Sequence, residues 1–229
     1  MHTAEAPRAP ITKGLLIHGA ARYDLLLWVL TLGRESALRE KALRLAGLSP
    51  GEAVLDIGCG TGTLAIAAKR RVGDEGLVSG VDASPAMYAR AVKKARKAGL
   101  EIDFRNALAE GLPFPNAHFD VVLSTLMLHH LPGNTRIECA REIRRVLKPG
   151  GRVLAIDFES SPGKRTSIID HFHRHGHINL SAMLDLFRNA GLTISESGAV
   201  EINSLQYVVA ANPPANERTT LASTGPDHD

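Results

Sequence analysis

The stretch AVLDIGCGTG, residues 53–62, decides how this chain folds. Val54, Leu55 and Ile57 form an apolar run too short for a helix and right for a strand buried on both faces. Asp56 sets a charge near its end. Gly58, Gly60 and Gly62 follow, with only Cys59 and Thr61 between them. Glycine accepts positive φ and lets another molecule come close to the backbone. From Thr63 to Arg71 the pattern turns helical, carried by Leu64, Ile66, Ala67 and Ala68. Strand, glycine turn and helix together open a nucleotide-binding α/β sheet.

Downstream, strands and helices alternate. Leu77 to Val81 reads as a strand ending in Asp82. Pro85 to Ala98 reads as a helix, with Ser84 as N-cap, Pro85 at its first position and Gly99 at its end. Ile102–Arg105 is a short strand, and Leu112-Pro113-Phe114-Pro115 is the rigid part of the loop after it. Phe119–Ser124, nearly all apolar, is a central strand. Thr135–Leu147 is a helix stopped by Pro149-Gly150-Gly151. Arg152–Phe158 is a strand, and Ser181–Ala190 is a helix closed by Gly191. Leu192–Val200 and Leu205–Ala211 have no helix between them, so they form an antiparallel hairpin.

Upstream, residues 1–12 lack periodicity and are expected to be disordered. Residues 13–48 read as two helices forming a lid. The first holds Tyr23 and Leu25–Leu30; the second, SALREKALRLAGL, has Ser36 as N-cap and Gly47 as C-cap. The apolar first helix either packs over the ligand edge or lies in a membrane interface. The main domain is expected over 49–211, with a cap segment at 159–180 and a flexible tail at 212–229.

Composition narrows the function. Of 229 residues, 44% are hydrophobic and 22% charged, with a net charge of +3, as in an ordinary globular domain. Lys69-Arg70-Arg71, Lys93-Lys94, Arg96-Lys97 and Arg144-Arg145 are scattered, which argues for a solvated surface and against nucleic acid. The two cysteines, Cys59 and Cys139, make no disulfide framework, and a reducing cytoplasm fits. Met1–Pro10 does not read as a secretory leader. The longest apolar run, Leu25–Leu32, is far short of the roughly 20 residues of a membrane span.

The glycine spacing then sorts the ligands. A nicotinamide dinucleotide wants G-x-G-x-x-G, and here Thr63 stands where the third glycine belongs. A P-loop wants Lys-Ser or Lys-Thr after its second glycine, and neither occurs. What remains is a ligand lying across the same turn without a pyrophosphate. Asp82, at the next strand's end, is placed to accept both hydroxyls of a ribose.

VLDIGCGTG, VDASPAM, LAEGLPFPNAHFDVVLSTLMLHHL and LKPGGRVLAIDF together resemble the ordered motifs of class I S-adenosylmethionine-dependent methyltransferases. The branch resembled includes the ubiquinone and menaquinone biosynthesis enzymes. The likeness runs from about Leu45 to Ala211 and speaks for fold and cofactor more than for the methyl acceptor. It implies a Rossmann-like, doubly wound, seven-stranded, mostly parallel sheet whose seventh strand inserts antiparallel beside the fifth. It implies S-adenosyl-L-methionine as cofactor and S-adenosyl-L-homocysteine as product. Gly58, Cys59, Gly60 and Gly62 would line the methionine part through their backbone, with Asp56 meeting its amino group. Asp82 would take the ribose, and Ala83 and Met87 would pack on the adenine. Leu108 and Ala109 fall where the family has Asp-Ala or Asn-Ala. Leu108 cannot accept a hydrogen bond, which leaves adenine readout to backbone groups or Asn106. Thr125 would approach the methionine moiety.

The acceptor side is less defined. His129 and His130, just past the fourth strand, are candidate bases for an acceptor that must lose a proton. Each also reads as a structural histidine. His171, His173, His175 and His177 alternate along the cap segment. They read as a substrate wall, a solvated loop or a metal site, though no second Cys/His cluster fixes a coordination pattern. Tyr23 is either a closing aromatic over the ligand or a plain helix-start residue. The expected activity is methyl transfer to a small, hydrophobic organic acceptor, with a lipid headgroup or metal-associated substrate as alternatives. A nicotinamide oxidoreductase and a non-catalytic binding module are the competing classes.

Overall fold

The strand Ala53–Ile57 (β1) is buried at every position and lies at the heart of a seven-stranded sheet. The computed structural model describes residues 35–159, 178–202 and 205–214. Before β1 comes helix α1 (Glu35–Leu45), and after it α2 (Thr63–Val72), β2 (Leu77–Asp82), α3 (Pro85–Lys97) and β3 (Asp103–Asn106). Then follow β4 (Phe119–Thr125), α4 (Gly133–Val146), β5 (Leu147–Phe158), α5 (Leu180–Asn189), β6 (Thr193–Ala199) and β7 (Leu205–Ala211). The strand order is β3-β2-β1-β4-β5-β7-β6, parallel from β3 to β5, with β7 antiparallel to both β5 and β6. This is the expected doubly wound topology.

Alternation along the central strands divides the apolar residues between two cores. Val54, Val121, Leu123, Leu154, Ile156 and Val209 meet α1, α2 and α3 on one face. Leu55, Ile57, Val122, Val153, Ala155, Val208 and Ala210 meet α4 and α5 on the other. Cys139 of α4 lies in the second core at 0% exposure, and burial pushes its thiol up to about 12.

Several element ends differ from the sequence expectation. The helix α1 begins at Glu35, so Ser36 sits in its first turn and is not its N-cap. Gly47 closes α1 as expected: at φ 60° its N–H reaches Arg44 O, and that of Leu48 reaches Leu43 O. The helix α4 starts at Gly133, two residues early, and Pro149-Gly150-Gly151 lie within β5. The chain bulges there, since Phe119 pairs with Leu147 but Val121 with Arg152. Asn212 holds the bulge in the sheet by accepting from Gly150 N–H and donating to Gly151 O, both at 2.7 Å. The start of α5 is capped by Asn179, whose side chain accepts from Ala182 N–H at 2.8 Å.

Arg152 of β5 ties α1 to the sheet. Its guanidinium donates to Ala46 O and Gly47 O at the end of α1 and to both carboxylate oxygens of Glu52. Replacing Arg152 by methionine keeps the stem and removes these bonds. It is expected to lower unfolding stability by about 2 kcal/mol, read by urea denaturation.

Candidate functional site

Three strands end side by side at one edge of the sheet, with Ile57 level with Val81 of β2 and Ser124 of β4. The chain moves outward from β1 to β2 and β3, then returns to place β4 on the other side of β1. Such a reversal opens the crevice where α/β sheets bind ligands.

The turn after β1 forms its floor. Gly58, Gly60 and Gly62 have φ of 68°, 53° and 79°, and both Gly58 N–H and Cys59 N–H donate to Val81 O at 2.9 Å. A Cβ on Gly62 would lie 2.9 Å from Ala91 Cβ and Phe104 Cζ, so a side chain there would push α3 off the turn. One on Gly58 would overlap Met127. Cys59 is buried, and burial, with the charges of Asp56 and Asp82, drives its thiol well above the usual range.

Asp82 points at this turn. Its Oδ2 accepts from Gly60 N–H at 2.9 Å and its Oδ1 from Ser84 N–H at 2.8 Å. Each carboxylate oxygen keeps further acceptor capacity. Burial raises the Asp82 pKa, and the two N–H bonds oppose the rise. Ser84 does precede α3, but its side chain makes no cap hydrogen bond; Asp82 makes the local turn. Ala83 is half-buried beside it, and Met87 is buried in the first turn of α3. Leu108 and Ala109 are half-buried in the loop after β3. Asn106 donates through Nδ2 to Asp82 O at 2.7 Å.

Asp56 stands apart from these satisfied groups. It is 1% exposed, and neither carboxylate oxygen has a hydrogen-bond partner among the described residues. Burial, and then the charge of Asp82, push its pKa up to about 8. The Ala65 N–H in the first turn of α2 opposes this from outside hydrogen-bonding geometry. Buried polar atoms are almost always paired, so an orphaned carboxyl beside a glycine turn marks a place for a donor-bearing ligand. A primary ammonium fits it. Thr125 is half-buried at the end of β4, and the neighbouring Ser124 Oγ is buried without a hydrogen-bond partner.

A second group of residues follows the end of β4. Leu126 takes a left-handed φ of 55°, unusual for a branched side chain, and donates its N–H to Ile156 O. A short 3-10 turn, Leu128–His130, follows. Here His129 and His130 separate in role. The His129 ring is buried, and its Nδ1 lies 2.6 Å from Oδ1 of Asp157, which is 0% exposed. Asp157 Oδ2 also accepts from the His129 N–H at 3.1 Å, and Oδ1 from Phe158 N–H at 2.8 Å. Burial works against the Asp157 charge, but His129 and these N–H groups outweigh it and hold the carboxyl below its usual range. A carboxylate can only accept, so it places the neutral ring's proton on Nδ1 and leaves Nε2 as the basic nitrogen. His130 is half-buried, its ring 3.9 Å from that of His129, with Phe158 edge-on to His129 at 5.4 Å. Arg136 of α4 pins the turn by donating to Leu128 O at 2.8 Å.

The sequence reading missed Asp157. It had a signal: β1, β2 and β5 each carry an aspartate at or beside their C-terminal end, and the rule applied to the first two covers the third. Tyr23, His171, His173, His175, His177, the first lid helix and most of the cap segment lie outside the described residues. Among the described residues, no group of three His, Cys, Asp or Glu side chains is placed to hold a metal ion. No described helix is long and apolar enough to cross a membrane.

Residues 54–151 match the methyltransferase domain family. The ubiquinone/menaquinone biosynthesis C-methyltransferase of Shewanella sediminis is 33% identical over 159 residues, covering 68% of this chain and 62% of that one. The chain carries a methyltransferase domain on the expected seven-stranded sheet. It spans about three fifths of the length of the curated relatives it matches, 62% of the Shewanella sediminis protein. Solved structures share the architecture of the methyltransferase domain. A SAM-dependent methyltransferase from Aquifex aeolicus superposes with a TM-score of 0.69 at 20% identity, over 85% of this chain and 99% of that one. Geranyl diphosphate C-methyltransferase from Streptomyces coelicolor, solved with S-adenosyl-L-homocysteine, gives 0.66 at 20% identity, over 77% of this chain and 79% of that one.

Proposed function

We propose that this chain transfers a methyl group from S-adenosylmethionine to a small, hydrophobic, ring-bearing acceptor of the hydroquinone kind. The observation that carries the cofactor half is the orphaned Asp56 carboxyl beside a glycine turn that Asp82 faces. In this reading the turn from Gly58 to Gly62 lies against the amino-acid tail through its backbone. Asp56 receives the α-ammonium, Asp82 exchanges or shares its N–H partners with the ribose hydroxyls, and Thr125 approaches the tail from β4. Ala83 and Met87 flank the adenine, with Asn106 Oδ1 and the backbone of Leu108 and Ala109 as its polar contacts.

The bound cofactor supplies an electrophilic methyl group on a positively charged sulfur. The protein's task is then to align the nucleophile and keep water out. An acceptor ring bearing a hydroxyl must lose a proton as the new bond forms. His129 Nε2 takes it, with Asp157 orienting the ring and stabilising the charge it gains. Phe158, edge-on to the His129 ring, suits an apolar acceptor. The C-methyltransferase name of the relatives favours a quinone precursor. Tyr23 and the four alternating histidines of the cap segment are proposed to complete the acceptor side, and the first helix of residues 13–48 to form the lid, since α1, the second, is packed into the core.

Titration calorimetry with S-adenosylhomocysteine, followed by turnover with alkylated hydroquinones, tests this. Binding and methylated product are expected. Absence of binding removes the cofactor assignment, and turnover confined to lipid headgroups or amines moves the acceptor class.

A further inference from the structure

The groups facing Asp56 give it a state that its neighbours do not share. Among the described residues, β2 brings Asp82 and the turn the Cys59 thiol, both acids, and α2 brings the Ala65 N–H. Lys94 of α3 places its Nζ 2.6 Å from Thr61 Oγ1 in the turn. Two carboxylates in one desolvated site do not both ionise readily. Asp82 has N–H donors from Gly60 and Ser84 to hold its charge, and Asp56 has none. The asymmetry decides which of the two keeps a proton.

We propose that Asp56 waits as a neutral carboxylic acid and gives up its proton when the cofactor's α-ammonium enters, so that cofactor uptake releases a proton to solvent. This rests on the cofactor reading above and adds the charge state in which the empty site stands. The carboxyl O–H bond breaks, the proton goes to buffer, and the carboxylate formed accepts from the ammonium, which keeps all three of its own hydrogens. An acid titrating near 8 is mostly protonated at neutral pH. The binding-competent fraction therefore grows with pH, and apparent affinity should rise about tenfold from pH 6 to pH 7.

Calorimetry in phosphate, HEPES and Tris at pH 7 reads the proton directly, as the slope of observed heat against buffer ionisation heat. S-adenosylhomocysteine is expected to release close to one proton. 5′-Methylthioadenosine, which keeps the ribose and adenine but lacks the amino-acid tail, is expected to release none. Asp56→Asn should bind S-adenosylhomocysteine more weakly, with the same heat in every buffer and little dependence on pH. The unmodified protein with the two ligands decides the matter even if that variant does not fold. Binding of S-adenosylhomocysteine with no buffer dependence, or equal release with both ligands, overturns the proton inference and leaves the cofactor reading standing. No binding at all overturns both.

Discussion

Converting His129 to alanine is expected to lower kcat by about 100- to 10,000-fold on an acceptor that must lose a proton. Affinity for S-adenosylhomocysteine should stay within about threefold, because the turn after β1 is a separate contact set. The loss follows from the buried contact at 2.6 Å between His129 Nδ1 and Asp157. Asp157→Asn tests the orienting role separately. Its amide can turn a donor toward Nδ1 and so favour the wrong tautomer, as in hydrolytic triads. A large loss of kcat with a shifted acidic limb of the pH profile is expected. Lost stability with an unchanged profile would make Asp157 structural only. Stability has its own pH signature here. The Asp157 pKa is lower in the folded chain than in the unfolded one. Its stabilising contribution is therefore present above the unfolded carboxyl's value of about 3.9 and fades as pH falls through the folded value. Asp157→Asn should unfold at a higher pH on acidification. Asp157→Ala, which leaves His129 and two N–H groups buried without their acceptor, should cost about 3–5 kcal/mol.

Asp82→Ala is expected to weaken S-adenosylhomocysteine binding by about 100-fold or more, as two charge-assisted bonds to one ribose are each worth about 1.5–3 kcal/mol. The variant also removes the acceptor for Gly60 N–H and Ser84 N–H, which loosens the turn itself. 5′-Methylthioadenosine should lose affinity to a similar degree, since it carries the same sugar. Asp82→Asn should fall between, because it keeps one acceptor oxygen. Unaltered affinity in Asp82→Ala, measured by calorimetry on folded protein, would take the ribose contact away from this residue.

Much of this was legible in the chain, for reasons that differ by residue. The apolar run before Gly58 forces a buried strand, and three glycines in five positions force a bare turn, so the floor of the site follows from local chemistry. Asp82 was readable because a charge at the end of an apolar strand has few other uses. The place of β7 between β5 and β6 came from the family resemblance and not from any local pattern. The left-handed Leu126 leaves no mark in the sequence, because the surrounding contacts impose that conformation against the residue's own preference. Ser84 stands at the N-cap of α3 as the sequence suggests, but its side chain makes no cap hydrogen bond, and Asp82 two residues earlier accepts from its N–H. Pro149-Gly150-Gly151 looked like a stop because helices do end there, but Asn212, 61 residues beyond Gly151, holds those residues in the sheet.

The two buried thiols turn these differences into something a reagent can time. Cys139 lies at 0% exposure in the core under α4, so a disulfide reagent reaches it only when the whole core comes apart. Cys59 sits within the turn after β1, so its modification needs only that one bend to lift. The same polypeptide thus carries a clock for global unfolding and another for the breathing of its binding floor. Only the second should slow when a nucleoside occupies the crevice.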